Sequence, residues 1–241
     1  MTTGGMKIRR ALIGVADKQG LNELAQALER HQAEIISTGG TRTALKEAGI
    51  NVTAVEHFTN FPEILDGRVK TLHPKIHGGI LARRGEPSHQ RQMERHQIEP
   101  IDLVVVNFYP FERTIARAGV TFEEAIENID IGGPALVRAA AKNFTDVAVV
   151  VDPSDYSSVI AEMDQNDGAV TDATRWRLAR KAFARVAAYD AAIANYLGRI
   201  GDGEPDPLGE SFSISLPRTA PLRYGENPHQ AGAIYGDFGR I

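Results

Sequence analysis

The chain of 241 residues contains no cysteine. That excludes disulfides, thiolate nucleophiles and cysteine-ligated zinc, and it carries no sign of an oxidising compartment. Long apolar runs are missing too: stretches such as Leu103 to Val106 are far too short to span a bilayer. Met1 to Arg10 holds two arginines and a lysine but no apolar segment of signal-peptide type behind them. A basic excess is also absent. The net charge of −4 argues against a general nucleic-acid binder, and local cationic clusters suit a small anionic ligand better than a polyanion. Neither the Gly-x-x-x-x-Gly-Lys nor the Gly-x-Gly-x-x-Gly spacing occurs, and there is no His-Glu-x-x-His, internal repeat or low-complexity tract. The expectation is a cytoplasmic protein that binds neither membrane nor nucleic acid.

What is present is an ordinary globular composition, with 42% hydrophobic and 24% charged residues. Over the first 150 residues, strand-like runs alternate with helical patterns. Ala11–Val15 precedes a helical pattern at Leu21, Leu24, Ala25 and Leu28; Ala33–Ile36 precedes one around Ala44 to Ala48. Val52 to Val55, Leu103–Val106 and Val147–Val151 complete the strands. Such alternation predicts an α/β fold with a mostly parallel central sheet, which gathers ligands at the carboxyl ends of its strands. Residues 171–198 read as one long packing helix, with Trp176, Leu178, Ala179, Ala182, Phe183 and Val186 at helical intervals. Gly198 to Gly209 reads as a linker, and residues 210–241 as the first strand or two of another domain.

The run Gly67-Arg-Val-Lys-Thr-Leu-His-Pro-Lys-Ile-His-Gly-Gly79 places one arginine, two lysines and two histidines between glycines. Its apolar residues are sparse and Pro74 lacks an N–H, so it reads as a cationic loop suited to a phosphorylated substrate. His73 and His77 have a helical metal-ligand spacing, but Pro74 between them favours structural histidines, and no metal is expected. Ser37-Thr38-Gly39-Gly40-Thr41 lies between a strand and a helix, where paired glycines expose backbone N–H groups to an anion. Lys18 would sit on the same rim. Asn107-Phe108-Tyr109-Pro110-Phe111 ends a central strand. Asn128 to Pro134 leads into a helix, with Asp130 before its first turn, Gly132 and Gly133 at its start, and Lys142 about two turns along. Ala139-Ala140-Ala141 would permit close approach of a backbone or ligand. Taken singly, each motif also has a plain structural reading: a solvated loop, a strand-to-helix turn, a core aromatic, a turn acid with a surface lysine.

Together these segments resemble the N-terminal half of the bifunctional purine-biosynthesis enzymes that join a formyltransferase (phosphoribosylaminoimidazolecarboxamide formyltransferase) to IMP cyclohydrolase. The motifs that carry the likeness are Ser37 to Thr41, Gly67 to Leu81, Asn107 to Phe111, Ile129 to Asn143 and Leu222 to Gln230. The resemblance implies a methylglyoxal-synthase-like three-layer α/β/α domain over residues 1–200. Residues 201–241 would be a linker and the truncated start of the AICAR transformylase domain. It implies closure of 5-formamido-4-imidazolecarboxamide ribotide (FAICAR) to IMP with loss of water, no cofactor, and a homodimer. By the same resemblance, Lys18, Ser37, Thr38, Gly39, Gly40, Thr41, Arg68, Thr71, Asn107, Gly132 and Gly133 bind the substrate. Asp130 accepts a carboxamide N–H, Lys70 and Tyr109 stabilise the formyl oxygen, and Lys142 moves protons; which lysine does which job stays open. The sequence departs from the family at Gly14-Val15-Ala16, where a hydroxyl residue is common, and it stops at Ile241 without the transformylase's Lys-His segment, so formyl transfer is not expected. Two alternatives remain: a non-catalytic nucleotide- or phosphate-sensing module of the same fold, which would need the anion cradle but not Lys70, Tyr109, Asp130 and Lys142, and a methylglyoxal synthase, which would need more poised carboxylates than Asp130.

Overall fold

The structure, a computed structural model, describes residues 5–109, 111–200, 208–209 and 211–236. Pro110 and most of the expected linker lie outside these residues. The chain divides into two compact units, one ending at Val186 and the other beginning at Ala187.

In the first unit, five strands form one parallel sheet: β2 (Arg10–Val15), β3 (Glu34–Ser37), β4 (Thr53–Ala54), β5 (Leu103–Asn107) and β6 (Ala148–Val150), in the order β4-β3-β2-β5-β6. A short antiparallel pair, β1 (Met6–Lys7) with β7 (Ala169–Val170), stands apart from it. The helices are α1 (Leu21–Arg30), α2 (Gly39–Glu47), α3 (Val55–Thr59), α4 (Pro74–Leu81), α5 (Pro87–Arg95), α6 (Phe111–Ile115), α7 (Phe122–Glu127), α8 (Gly132–Lys142), α9 (Tyr156–Gln165) and α10 (Asp172–Leu197), the last running across the boundary between the units. In the second unit β8 (Arg218–Leu222) and β9 (Gly232–Tyr235) pair as an antiparallel ribbon.

Alternation along the strands builds the layers. Ala11, Ile13 and Val15 of β2, with Leu103 and Val105 of β5, join Leu24, Leu28, Tyr156, Val159 and Leu178 in one buried cluster, so α1, α9 and α10 cover that face. Leu12, Ile36, Val104 and Val149 are buried toward the other face. There α8 packs on β5 and β6, and α4 packs on α8. This is the expected α/β/α sandwich. Ala139, Ala140 and Ala141 are buried in α8, and the Asn143 amide at its end donates to the carbonyls of Ile80 (2.8 Å) and Ala82 (3.0 Å), which α4's last turn leaves open. The small residues thus serve helix packing.

Three sequence readings change. The segment after His73 is helical because Pro74 occupies the first helical position, where a missing N–H costs nothing, and the His73 ring accepts from Lys75 N–H as its cap (3.1 Å). Val55 starts α3 rather than ending a strand. On α10, Trp176 and Phe183 are exposed while Leu178, Ala179, Ala182 and Val186 are buried, so the packed stripe is narrower than the sequence pattern implied.

At the amino end of the sheet, Asp102 is 2% exposed. Its carboxylate accepts from the N–H groups of Arg9 (2.7 Å) and Arg10 (2.8 Å) and pairs with Arg84, whose guanidinium also donates to the Ile101 carbonyl (2.9 Å). Truncation would strand a charge and two backbone donors at once. Asp102→Ala is therefore expected to destabilise the protein by about 3 kcal/mol, read as a lower denaturant midpoint with an unchanged m-value.

Candidate active site

The order β4-β3-β2-β5-β6 reverses direction between β2 and β5, because the chain first builds outward from β2 on one side and then returns to its other side. Crossover helices diverge at such a point and leave a crevice beyond the strand ends. A cavity of about 850 Å³ lies there, floored by Gly14, Val15 and Ala16 after β2 and by Val106 and Asn107 at the end of β5. Its size is that of a small-molecule site.

Two helices begin at this cavity. The start of α2 brings Thr38, Gly39, Gly40 and Thr41 into its wall, and no side chain caps that terminus. The first-turn N–H groups of α2 are thus available to an anion, reinforced by the helix dipole. Gly39 has φ of 54°, a left-handed backbone that favours glycine. Asp130, just before α8, and Gly132 and Gly133 at its start also line the cavity. Asp130 caps this helix: its Oδ1 accepts from Gly133 N–H at 2.9 Å, and a methyl group on Gly133 would collide with the carboxylate.

The loop before α4 supplies the cations. Ile64 and Val69 bridge in a short antiparallel contact, and Leu65, Asp66 and Gly67 between them all have positive φ. This tight turn places Arg68, Lys70 and Thr71 against the cavity. Arg68 pairs with Glu127 of α7 at 2.9 Å, both side chains well exposed. The Lys70 ammonium lies between the turn and α2: a Cβ on Gly67 would stand 3.5 Å from it and one on Gly39 3.9 Å. Thr71 reaches α8, its hydroxyl 3.0 Å from where a Cβ on Gly132 would be. Lys18 lines the rim after β2, and Tyr109 is exposed at the mouth.

Every sequence-predicted site residue lines this cavity except Ser37 and Lys142. Ser37 is fully buried, and its hydroxyl donates to the Ile13 carbonyl at 2.8 Å, so it joins β3 to β2 instead of gripping a ligand. Lys142 is exposed at the last residue of α8. At 1.5 Å per residue, that is about 15 Å along the axis from the helix start beside Asp130. The expectation that residues 130 and 142 share one pocket does not hold within the chain. Two further side chains do line the cavity but are engaged elsewhere. Thr41 accepts from Val15 N–H and donates to Val15 carbonyl, both at 3.0 Å. Asn107 is bonded to the loop after β2. Sequence reasoning missed Glu127 and the Leu65–Asp66 turn. Asp66-Gly67 is a turn signal, but a left-handed leucine has no signature in a single sequence.

Burial pushes the Asp130 carboxyl above its ordinary range, while the N–H groups of Gly133 and Gly132 and the charge of Lys70 oppose the rise. A raised folded-state pKa contributes stability below the unfolded value of 3.8 and loses it as pH climbs through the folded pKa. Asp130→Asn, which cannot ionise, should therefore gain stability relative to the parent as pH rises from 3 to 7. Denaturant midpoints for both proteins across that range check this; a widening deficit for the variant would contradict it.

Comparison with known proteins bears on the family and the fold. A family model described as the MGS-like domain matches residues 20–135, and one described as the AICARFT/IMPCHase bienzyme matches residues 140–240. The bifunctional purine biosynthesis protein PurH of Magnetococcus marinus is 53% identical over 96% of this chain and 44% of its own length. PurH of Neisseria meningitidis serogroup A is 54% identical over 95% of this chain and 44% of its own length. PurH of Listeria monocytogenes serotype 4b (strain F2365) is 55% identical over 97% and 45%. The chain thus spans less than half the length of these relatives. The crystal structure of ForH superposes with a TM-score of 0.74 and 38% identity, covering 80% of this chain and 98% of that one. The chain belongs to the family of the bifunctional purine biosynthesis protein PurH, and it corresponds to the portion built on the MGS-like domain.

Proposed function

We propose that this chain is an IMP cyclohydrolase that closes FAICAR to IMP with release of water. One observation carries the reading: Asp130, Lys70 and Tyr109 line the same cavity as an uncapped, glycine-rich helix start flanked by Lys18. The α2 N–H groups and Lys18 suit the ribotide phosphate. That leaves the α8 side of the cavity for the imidazole ring and its two substituents.

Ring closure joins the carboxamide nitrogen to the formyl carbon. An amide nitrogen is a weak nucleophile, so holding the two groups in contact supplies much of the acceleration. Asp130 accepts a hydrogen bond from the carboxamide N–H, and its raised pKa makes it a stronger base than an ordinary carboxylate. As the new bond forms, the formyl C=O becomes a C–O single bond and its oxygen gathers negative charge, which Lys70 and Tyr109 are placed to stabilise. The attacking nitrogen gives up one of its two protons and the formamido nitrogen gives up its own. The oxygen takes both, and the C–O bond breaks with departure of water to leave a C=N between the former formyl carbon and the formamido nitrogen. Proton delivery to that oxygen falls to Lys70 or a water, since Lys142 stands away from the cavity of its own chain.

The same reading takes residues 1–200 as the cyclohydrolase domain and residues 201–241 as a linker and the start of the transformylase domain. It also places the protein in the cytoplasm as a homodimer that needs no cofactor. Among the described residues, no helix is long and apolar enough to cross a membrane.

Purified protein is expected to convert FAICAR to IMP, followed by absorbance as the second ring forms; a flat trace from folded protein that still binds IMP would leave only a sensing role. Lys70→Ala and Asp130→Ala should each lower kcat by about 10²-fold. Lys18→Ala should act mainly on KM. Equal kcat losses in all three would overturn the division between gripping and reacting groups.

A further inference from the structure

Asn107 lies at the cavity, yet its carboxamide is turned to the protein. In the parallel ladder it stands beside Val15, the last residue of β2. Beyond that point β2 continues as the loop 16–20, while β5 has run out and offers no further backbone partner. The side chain takes over. Asn107 Oδ1 accepts from the N–H groups of both Ala16 (2.6 Å) and Asp17 (2.9 Å), and its Nδ2 donates to the Asp17 carbonyl (2.9 Å). The orientation of the amide is dictated by these partners, because exchanging O and N would face two donors with a donor and a carbonyl with an acceptor. Both lone pairs of the oxygen are spent on the loop.

A second group braces the same loop from the other side. Tyr156, at the start of α9, is 3% exposed. Its ring lies against Gly20, whose φ is 70° and where a Cβ would stand 3.2 Å from Tyr156 Cδ2. The Tyr156 hydroxyl interacts with the Asn107 side chain; burial first, then the charges of Asp17 and Asp152, push its pKa up to about 12, so it stays a neutral phenol. Within the loop, Asp17 Oδ1 accepts from Gln19 N–H (2.9 Å), and Leu21 N–H bonds the Lys18 carbonyl (3.1 Å) to start α1. Lys18 is thus the exposed cation of a short segment whose backbone is fixed at both ends.

We propose that Asn107, braced by Tyr156, is a positioning residue that governs anion binding by holding the Ala16–Lys18 backbone, and that it does not itself contact the substrate. The proposal rests on the cavity being the ribotide site. It assigns Asn107 an effect that passes through Lys18 and the loop.

The test is a double-mutant cycle on the full chain, with IMP as the calorimetric probe and FAICAR as the kinetic substrate. Asn107→Ala should weaken IMP binding about 10-fold and raise KM in step, with the smaller change in kcat. In a Lys18→Ala background the same change should cost at most about 2-fold, because the grip it supports is already gone. Asn107→Asp, which keeps the oxygen facing both N–H groups but sets an acceptor against the Asp17 carbonyl, should fall between the parent and the alanine variant. Tyr156→Phe keeps the ring on Gly20 and should weaken IMP binding in the same direction by a smaller factor; with Asn107→Asp it carries the test if Asn107→Ala does not fold. Additive losses in the Lys18→Ala background would mean that Asn107 touches the ligand directly and would overturn the proposal. So would a loss confined to kcat with IMP binding intact. Failure of the parent to close FAICAR while it binds IMP would remove the cyclohydrolase reading and leave the binding cycle to decide the role of Asn107.

Discussion

Two helix starts, three cationic side chains and a single capping carboxylate share one cavity, and the electrostatics of that arrangement constrain everything around it. The N–H groups at the start of α2 have no side-chain cap, and Lys18, Arg68 and Lys70 add full charges around the same space. A ligand-free cavity of this kind is unfavourable unless solvent or counter-groups answer the charge. Glu127 answers Arg68 at the exposed edge, where screening keeps the pair weak and exchangeable. Asp130 answers the start of α8, but from a half-buried position that raises its pKa. The α2 side therefore remains open to an anion, while the α8 side already holds one. A phosphorylated molecule with a neutral, proton-donating ring substituent fits that polarity in only one direction.

Opposite ends of the sheet are finished by similar means. At the amino end, the Asp102 carboxylate collects the N–H groups of Arg9 and Arg10 where the strand begins. At the carboxyl end, the Asn107 carboxamide collects those of Ala16 and Asp17 where it stops. Both side chains stand in for backbone partners that the neighbouring strand does not provide. The difference lies in charge. Asp102 is ionic and nearly inaccessible, matched to Arg84. Asn107 is neutral, which leaves the positive character of the cavity undiminished beside Lys18.

The parts of this molecule legible in its sequence are those in which one residue type has one physical use. Continuous β-branched runs bounded by polar residues, such as Leu103 to Val106, marked buried strands, and Gly132-Gly133-Pro134 marked a helix start. Pro74 was harder, because a missing N–H is disruptive inside a helix and harmless at its first turn, and only the cap from His73 decides between them. Ser37 and Thr41 belong to a motif that suggests a ligand, yet both hydroxyls close on neighbouring strand backbone; the helix start between them faces the cavity regardless. Lys142 illustrates another limit. Spacing along a helix says which residues share a face, and neither the reach of the side chain nor the position of the cavity follows from it.

The same logic explains why the turn at Leu65 and Asp66 escaped notice. Non-glycine residues at positive φ cost free energy unless the surrounding contacts over-determine them. Here the Ile64–Val69 bridge closes the turn on one side, and the groups nearest a Cβ on Gly67 would be the Glu63 carboxylate and the Lys70 ammonium. A relaxed, wider loop would let Arg68 and Lys70 drift apart along the rim. The strained turn sets both against one cavity, one cation toward α7 and the other between the turn and α2. Backbone strain at this point is thus the counterpart of the side-chain clasp at Asn107: each removes freedom from a loop that carries a cavity-lining cation.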